Sequence, residues 1–150
     1  MTNYKLLSKQ ILALAETEPN YLPVLSNASA LLNEALDDIN WAGFYLMDNG
    51  SLLLGPFQGK VACIRIQIGK GVCGTAVAED KTQLIENVHD FPGHIACDCA
   101  SNAEIVIPIH KNGEIVGVLD IDSPTIGRFT LEDKEGLEEF VRALETVVEF

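Results

Sequence analysis

Apolar residues recur at helical spacing near both ends of the chain. Leu7, Ile11 and Leu14 lie three or four positions apart, and Glu18-Pro19-Asn20 interrupts the pattern before a second series begins. The spacing predicts two amphipathic helices, the second with a stripe of Leu25, Ala28, Leu32, Ala35 and Leu36. Thr130-Leu131-Glu132-Asp133 resembles a capping box. It predicts a last helix with a stripe of Leu137, Phe140, Val141, Leu144, Val147 and Val148.

The middle of the chain alternates apolar and polar residues, as β-strands do. Two Asn-Gly pairs, Asn49-Gly50 and Asn112-Gly113, separate such segments and are typical of tight hairpins. A short helix is expected near Gly74–Glu79. The six predicted strands are Ala42–Met47, Leu52–Leu54, Ile64–Ile68, Gln83–Glu86, Glu104–Ile109 and Glu114–Ile121. Because hairpins pair strands antiparallel, we expect an α+β fold with a six-stranded antiparallel sheet. The N- and C-terminal helices would cover one face and a loop-covered pocket would occupy the other.

Composition and charge narrow the classes of protein that this chain can represent. With 150 residues, 47% of them apolar, the chain is expected to form a single domain over residues 1–150. Its formal net charge of −12 repels phosphate backbones and anionic lipid surfaces, so neither nucleic acid nor a membrane is an expected partner. The N-terminal residues lack the features of a signal peptide, and no apolar run is long enough to span a membrane. We therefore expect a cytoplasmic location.

Cysteines are the first candidates for chemistry, and the chain has Cys63, Cys73, Cys97 and Cys99. In a reducing compartment, cysteines are more often catalytic, redox-active or metal-binding than structural. Residues 88–102 lack any helical or strand period, which is typical of a functional loop. One alternative is a zinc site, although such sites usually place about two to four residues between paired cysteines. Its ligands would be His89, His94, Cys97 and Cys99.

The segment Gly69–Gly74 has the GxGxxG pattern of dinucleotide-binding proteins. Such a site needs a long helix in a parallel crossover, whereas hairpin-paired strands surround this segment. The context favours a glycine-rich turn, with nucleotide binding as the alternative.

Trp41, Gly43 and Tyr45 alternate, and so they share one face of their strand. Two large aromatic residues on either side of a glycine would form an apolar slot. The alternative is that both aromatic residues are simply core. The opposite face of the same strand is expected to be core in either case, and it carries Ala42, Phe44 and Leu46.

Asp120 and Asp122 also alternate, beside Val116 and Val118. Two carboxylates on a strand that otherwise looks buried cost free energy unless they are paired or used. Mutual repulsion would raise the pKa of at least one of them, which is a usual way to make a general acid. The alternative is that the strand emerges into solvent at this point.

The register of the last hairpin decides whether Glu104 joins these two carboxylates. A two-residue loop at Asn112-Gly113 sets Glu104 opposite Ile121 and therefore on the wrong face. A three-residue loop with Gly113 in a bulge sets Glu104 opposite Asp120, and a slip at Pro108 would have an equivalent effect. We expect the three carboxylates to converge.

Five separated motifs occur in a characteristic order along the chain. They are Asn40–Leu46, Gly69–Gly74, His94-Ile95-Ala96-Cys97-Asp98, Glu104-Ile105-Val106 and Val118-Leu119-Asp120-Ile121-Asp122. With the spacing of Cys63, Cys73 and Cys97, they resemble the free methionine-(R)-sulfoxide reductases, which are single GAF-domain enzymes. The resemblance extends from near Asn20 to the C-terminus, and it implies a GAF-like fold.

The resemblance also implies roles for individual residues. Cys97 corresponds to the nucleophile and Cys63 to its resolving partner, while Cys73 and Cys99 would be auxiliary thiols. The position of Cys99 is normally not a cysteine in this family. Glu104 and Asp122 match catalytic acidic residues. The implied substrate-binding residues are Trp41, Tyr45, Ile95, Asp98 and Asp120.

The activity implied is reduction of free L-methionine-(R)-sulfoxide to L-methionine. Attack by Cys97 would leave a sulfenic acid, a second thiol would convert it to a disulfide, and thioredoxin would restore the thiols. No bound cofactor or metal is expected, and a homodimer is compatible with the resemblance. The alternative is a non-catalytic GAF module that senses a small ligand, redox state or zinc.

Overall fold

The computed structural model describes residues 2–93 and 101–150 of the chain. Within these residues the four α-helices are α1 (Tyr4–Leu14), α2 (Tyr21–Ala35), α3 (Gly71–Glu79) and α4 (Leu131–Val147). The six strands are β1 (Trp41–Asp48), β2 (Ser51–Gly59), β3 (Arg65–Ile66), β4 (Gln83–Ile85), β5 (Ala103–Lys111) and β6 (Glu114–Ser123). A single 3-10 turn spans Val88–Asp90.

The six strands form one antiparallel sheet in the order β3-β2-β1-β6-β5-β4. The main core lies between one face of this sheet and the helices α1, α2 and α4. The other face packs against α3 through a smaller apolar cluster that includes Trp41, Tyr45 and Val118. The predicted α+β fold is therefore confirmed, with the N- and C-terminal helices on one face and a pocket on the other.

The boundaries of several elements differ from the predicted ones. Leu14 is exposed, and Ala15 takes the buried position at the end of α1. Val148 is buried but lies beyond the end of α4. The helix α3 begins at Gly71 and not near Gly74, because the second half of the glycine-rich segment forms its first turn. The expected core residues of β1 are correct, since Ala42 and Phe44 are fully buried beneath the helices and Leu46 packs against the same core.

The β5–β6 hairpin has the register that brings the carboxylates together, although by a different route from the one expected. Its loop has two residues, Asn112 and Gly113, both with positive φ, and Lys111 pairs with Glu114. The pairing then shifts by one residue, since His110 pairs with Ile115 but Ile109 pairs with Gly117. The alternative of a three-residue loop is therefore wrong, and the register slips instead between Ile109 and His110, next to Pro108.

The residue that causes this shift is Val116, which has no partner in the ladder and forms a β-bulge in β6. The bulge interrupts the alternation of β6, so that Val116 packs on the helix-covered side while Val118 lies on the opposite side. The prediction that Val116 shares a face with Asp120 and Asp122 is therefore wrong. Beyond the bulge, Glu104 pairs with Asp122 and not with Asp120.

A buried hydrogen bond joins the two ends of the chain. The Tyr4 hydroxyl of α1 donates to Asp133 Oδ1 of α4 at 2.6 Å. Asp133 also forms the predicted capping box with Thr130, and its Oδ2 forms an ion pair with Arg128 Nη1 at 3.1 Å. Burial alone would raise the pKa of Asp133, but the hydrogen bonds from Tyr4 and Thr130 and the Arg128 charge lower it. The carboxylate is therefore held in its ionised form.

The helices in the described part of the chain are too short or too polar to cross a membrane.

The Tyr4–Asp133 bond is expected to stabilise the packing of α1 on α4. Replacing Tyr4 with Phe should lower the free energy of unfolding by about 1.5–3 kcal/mol, because a buried carboxylate loses a hydrogen bond. Urea denaturation at neutral pH measures this difference. The matched control is Tyr21→Phe, since Tyr21 is partly exposed at the start of α2. Equal stabilities of the two variants would contradict the assigned role.

Candidate active site

Three carboxyl groups meet on the sheet face opposite the main core. Glu104 comes from β5, and Asp120 and Asp122 come from β6. Glu104 and Asp120 are only 7% and 5% exposed. All three line one cavity, and Asp120 Oδ1 has no hydrogen-bond partner among the described residues. The expected convergence is thus confirmed, and it produces a buried, acidic cavity floor.

Burial is the main cause of the raised pKa values of two carboxyl groups on this floor, Glu104 and Asp120. Burial raises the pKa of Glu104 well above its ordinary range, and the charges of Asp120 and Asp122 raise it further. Burial also raises the pKa of Asp120, while hydrogen bonds with Glu104, Cys73 and Asp122 partly oppose the rise. Loss of solvation is thus a larger cause than the repulsion proposed from the sequence. A group that keeps its proton in this way is suited to act as a general acid.

Cys73 is a buried, free thiol on α3, directly above the carboxyl groups. Its Sγ lies 4.0 Å from Glu104 Oε2. Burial raises the pKa of Cys73 well above its ordinary value, and the neighbouring carboxylates Asp120, Glu104 and Asp122 add to the rise. A thiol in these surroundings stays protonated, and it is therefore a poor nucleophile.

Cys73, Glu104 and Asp120 also form a set of ligand types that could hold a metal ion. One ligating atom from each lies within 4.8 Å of the others. Metal ligation would require these groups to lose their protons. Burial raises the pKa of all three groups, so a metal ion that bound here would have to displace their protons.

An aromatic wall stands beside the acidic floor. Trp41 and Tyr45 are both buried and stack with their ring centroids 6.0 Å apart. Phe57 of β2 stacks on Trp41 at 5.1 Å, and its Cβ occupies the space in which a side chain at residue 43 would lie. The slot predicted over Gly43 is therefore filled by Phe57. Gly43 is required for this close strand packing and does not provide space for a ligand.

The polar atoms of the aromatic wall hold the segment that carries Cys63. Trp41 Nε1 donates to the Lys60 carbonyl at 3.1 Å, and the Tyr45 hydroxyl donates to the Cys63 carbonyl at 2.8 Å. Cys63 is half-buried and disulfide-bonded, in contrast to the free thiol of Cys73. Burial raises the pKa of Tyr45, with a further contribution from Asp120, so this hydroxyl remains a donor.

Several predicted site residues lie outside the described part of the chain: Ile95, Cys97, Asp98 and Cys99. His94, one of the four residues of the alternative zinc site, lies outside it as well. The remaining described member of that set is His89, whose Nε2 is 2.9 Å from Asn102 Oδ1.

The structure adds residues to the cavity that the sequence analysis did not identify. Ser101 is buried and accepts a hydrogen bond from Asn40 Nδ2 at 3.2 Å. Lys70, Gly71 and Val72, at the start of α3, line the cavity beside Cys73. The glycine-rich turn interpretation is correct: Gly69 N donates to the Gly74 carbonyl at 2.9 Å. The glycine-rich turn was the sequence signal that could have identified Lys70, Gly71 and Val72 as cavity residues, because it directs the first residues of α3 toward the carboxyl groups.

Comparisons with known proteins agree with this architecture. A family model for the GAF domain matches residues 27–149. The free methionine-R-sulfoxide reductase of Escherichia coli (strain K12) is 57% identical over 145 residues, which cover 97% of this chain and 88% of that protein. The solved structure of the reduced form of fRMsr of Staphylococcus aureus is 56% identical with a TM-score of 0.96, covering 99% of this chain and 97% of that chain.

The structure of fRMsr of Staphylococcus aureus in complex with substrate is equally similar. It has a TM-score of 0.94 and 55% identity, and the match covers 99% of this chain and 97% of that chain. Both the fold and the motif resemblance are thereby confirmed. This chain belongs to the GAF-domain proteins, within the family of the free methionine-R-sulfoxide reductases.

Proposed function

We propose that this protein reduces the R sulfoxide of free methionine to methionine. The observation that carries the proposal is a cavity floor of three carboxyl groups, of which Glu104 and Asp120 are buried, beside an aromatic wall. Such a cavity suits a small ligand that carries an ammonium group and an apolar methyl group. The Escherichia coli relative, named a free methionine-R-sulfoxide reductase, and the Staphylococcus aureus structure with substrate support this assignment.

The carboxyl groups would select a free amino acid. An ammonium group can pair with Asp120, whose Oδ1 is buried and has no hydrogen-bond partner among the described residues. A methionine sulfoxide residue inside a protein has an amide in place of the ammonium group, and so it cannot form this ion pair. Trp41 would contact the methyl group of the substrate at the aromatic wall.

The chemical step would join a thiolate to a proton donor. Cys97 would attack the sulfoxide sulfur while Glu104 or Asp122 donates a proton toward the sulfoxide oxygen. The raised pKa of Glu104 supports this role, because the group keeps a proton that it can donate. The S–O bond of the sulfoxide breaks and its oxygen, with the donated proton, passes to Cys97 Sγ. The bond between Cys97 Sγ and the substrate sulfur is broken, methionine leaves, and Cys97 is left as a sulfenic acid.

Cys63 would then resolve the sulfenic acid. Its thiol condenses with Cys97, water leaves, and a disulfide forms between the two residues. The disulfide-bonded state of Cys63 supports a redox role for this residue. A dithiol such as thioredoxin would supply two electrons and two protons and restore both thiols. The protonated, buried Cys73 fits the part of an auxiliary thiol better than that of the nucleophile.

A zinc or redox sensor is the competing function, and one observation favours it. Cys73, Glu104 and Asp120 are close enough to share a metal ion. Measuring the metal content of the purified protein, together with its turnover of methionine sulfoxide, separates the two. Stoichiometric zinc without turnover would support the sensor, whereas turnover in the presence of a chelator supports the enzyme.

Substrate selectivity tests the proposed function directly. With free L-methionine-(R,S)-sulfoxide and dithiothreitol, the R epimer should be consumed and the S epimer should persist, as measured by chiral chromatography. A peptide containing methionine-(R)-sulfoxide should react at least about a hundredfold more slowly, because it lacks the ammonium group. Similar rates on the free amino acid and on the peptide would contradict the role of the acidic floor.

The assigned thiol roles predict different outcomes for single variants. Cys97→Ser should release no methionine even in a single turnover, because the nucleophile is missing. Cys63→Ser should release about one methionine per enzyme and then stall with thioredoxin, since the sulfenic acid persists. Cys99 lies two residues from Cys97 in the sequence, and replacing it as well should extinguish any slow cycling of the Cys63 variant. A full methionine burst from Cys97→Ser would contradict the assignment.

The protonation of Glu104 predicts a pH dependence of stability. The unfolded chain releases this proton near the ordinary pKa of 4.5, whereas the folded protein retains it to higher pH. The free energy of unfolding should therefore fall as the pH rises above 4.5, until the folded carboxyl also ionises. Glu104→Gln should lose this fall, so that its stability relative to the unmodified protein increases between pH 5 and pH 8.

Urea denaturation at the two pH values measures this effect. Glu135→Gln on α4 is the control, because Glu135 is exposed and should follow the unmodified protein. Parallel pH profiles for Glu104→Gln and the unmodified protein would contradict the burial of a protonated Glu104.

A further inference from the structure

The segment around Cys63 differs in charge from the rest of the molecule. The chain has 22 acidic residues, yet none occurs between Asp48 and Glu79. The same stretch contains three of the ten basic residues, namely Lys60, Arg65 and Lys70. Arg65 is ion-paired with Asp48 at 3.0 Å, whereas neither lysine has an ion-pair partner among the described residues. The segment that contains Cys63 is therefore basic in a strongly acidic protein.

Two large apolar side chains that flank Cys63 in the sequence are exposed, and one of them, Val61, also lines the cavity. Val61 is 88% exposed and Ile64 is 70% exposed, the two highest values among the large apolar residues of the described chain. Single exposed apolar residues are common on protein surfaces. Here the two lie on either side of a half-buried, disulfide-bonded cysteine.

The backbone of this segment is held in place by its neighbours. The Trp41 indole and the Tyr45 hydroxyl bind the carbonyls of Lys60 and Cys63. Leu54 N of β2 donates to the Ile64 carbonyl at 2.9 Å. The apolar side chains are therefore presented by an ordered backbone, which lowers the entropic cost of binding a partner.

We propose that Lys60, Val61, Ile64, Arg65 and Lys70 form a docking surface, the Cys63 platform, for a protein dithiol reductant. The partner would carry its reactive cysteine in an apolar surface with acidic groups at the edge. Apolar contact with Val61 and Ile64 would bring the two sulfurs together, and the basic rim would orient the acidic edge. This inference rests on the proposed function, because it supplies the reductant for that same disulfide.

The exchange reaction at the platform is balanced. A thiolate of the partner attacks Cys63 Sγ, forming a mixed disulfide, and the bond from Cys63 to the proposed partner Cys97 breaks. Cys97 leaves as a thiolate, ready for the next sulfoxide. The second thiol of the reductant then attacks the reductant's first sulfur, which is bonded to Cys63 in the mixed disulfide. Cys63 is released as a thiol. The reductant is oxidised to its disulfide. It has delivered two electrons, the proton of its second thiol has passed to Cys63, and the negative charge of its attacking thiolate has passed to Cys97.

A comparison of two reductants separates binding of the partner at the platform from reduction of the disulfide. Dithiothreitol is small and does not need the platform, whereas thioredoxin, kept reduced by thioredoxin reductase and NADPH, would bind it. Ile64→Ser should raise the KM for thioredoxin about tenfold, because an apolar contact is lost. Its turnover with dithiothreitol should remain within about twofold of the unmodified protein, because this small reductant reaches the same disulfide without the apolar contact. The matched control is Leu22→Ser on α2, where Leu22 is 56% exposed on the helix-covered side.

A pair of charged variants tests the basic rim at one position. Ile64→Asp and Ile64→Lys both remove the apolar contact, but only Ile64→Asp repels an acidic partner surface. The KM for thioredoxin should therefore be higher for Ile64→Asp than for Ile64→Lys, and salt should reduce the difference. Equal values would overturn the acidic-edge part of the proposal.

The remaining outcomes separate the platform from the proposed function. An unchanged KM for thioredoxin in Ile64→Ser would overturn the platform while leaving the reductase activity intact. Turnover of the unmodified protein with dithiothreitol but not with thioredoxin would also overturn it. Absence of turnover with dithiothreitol would contradict the reductase function itself, and with it the platform.

Discussion

The β-bulge at Val116 is the constraint on which the candidate site depends. The two-residue loop at Asn112-Gly113 requires Lys111 to pair with Glu114, and an uninterrupted ladder from that pair would put Glu104 on the helix-covered face. One unpaired residue in β6 changes the register by one position. Each residue of β6 beyond Val116 therefore pairs with a different residue of β5 and lies on the same face as a different set of β5 side chains. As a result, apolar side chains meet the helices and the acidic ones meet the cavity.

The acidic cavity floor costs stability, and the opposite sheet face offsets that cost. Burying carboxyl groups is unfavourable, which is why burial raises the pKa of Glu104 and Asp120. On the other face, Ile105, Leu119 and Ile121 are fully buried beneath α1, α2 and α4. The same two strands therefore carry fully buried apolar side chains on one face and costly buried carboxyl groups on the other. Natural proteins commonly place functional groups at such costly positions, because the rest of the fold supports them.

The floor of the cavity and the segment around Cys63 have opposite character. The floor is acidic, which suits an ammonium group, whereas the Cys63 segment is basic and apolar, and its residues Val61 and Lys70 line the same cavity. Trp41 and Tyr45 connect the two regions, since their rings form the cavity wall and their polar atoms hold the Cys63 segment. Under the proposed function, one pair of aromatic residues would therefore support both the substrate and the disulfide.

Much of the fold followed from local pattern. Helical spacing identified α1, α2 and α4, the Asn-Gly pairs identified both hairpins, and Thr130 with Asp133 identified the last helix start. These features are local because hydrogen bonds within a few residues determine them. The motif order was also sufficient to predict the family.

Features that depend on contacts between distant residues could be decided only by the tertiary structure. The sequence could not reveal that Phe57 fills the space above Gly43, because the two residues meet across neighbouring strands. It suggested repulsion between carboxylates, but burial by α3 and the sheet is the larger cause of the raised pKa values. It also allowed either face for Glu104 and put Val116 on the wrong face, since a bulge depends on how two whole strands pack. Local hydrogen bonding and hydrophobic spacing thus determined the elements, whereas long-range packing decided the site, because only packing sets register, solvation and which side chains meet.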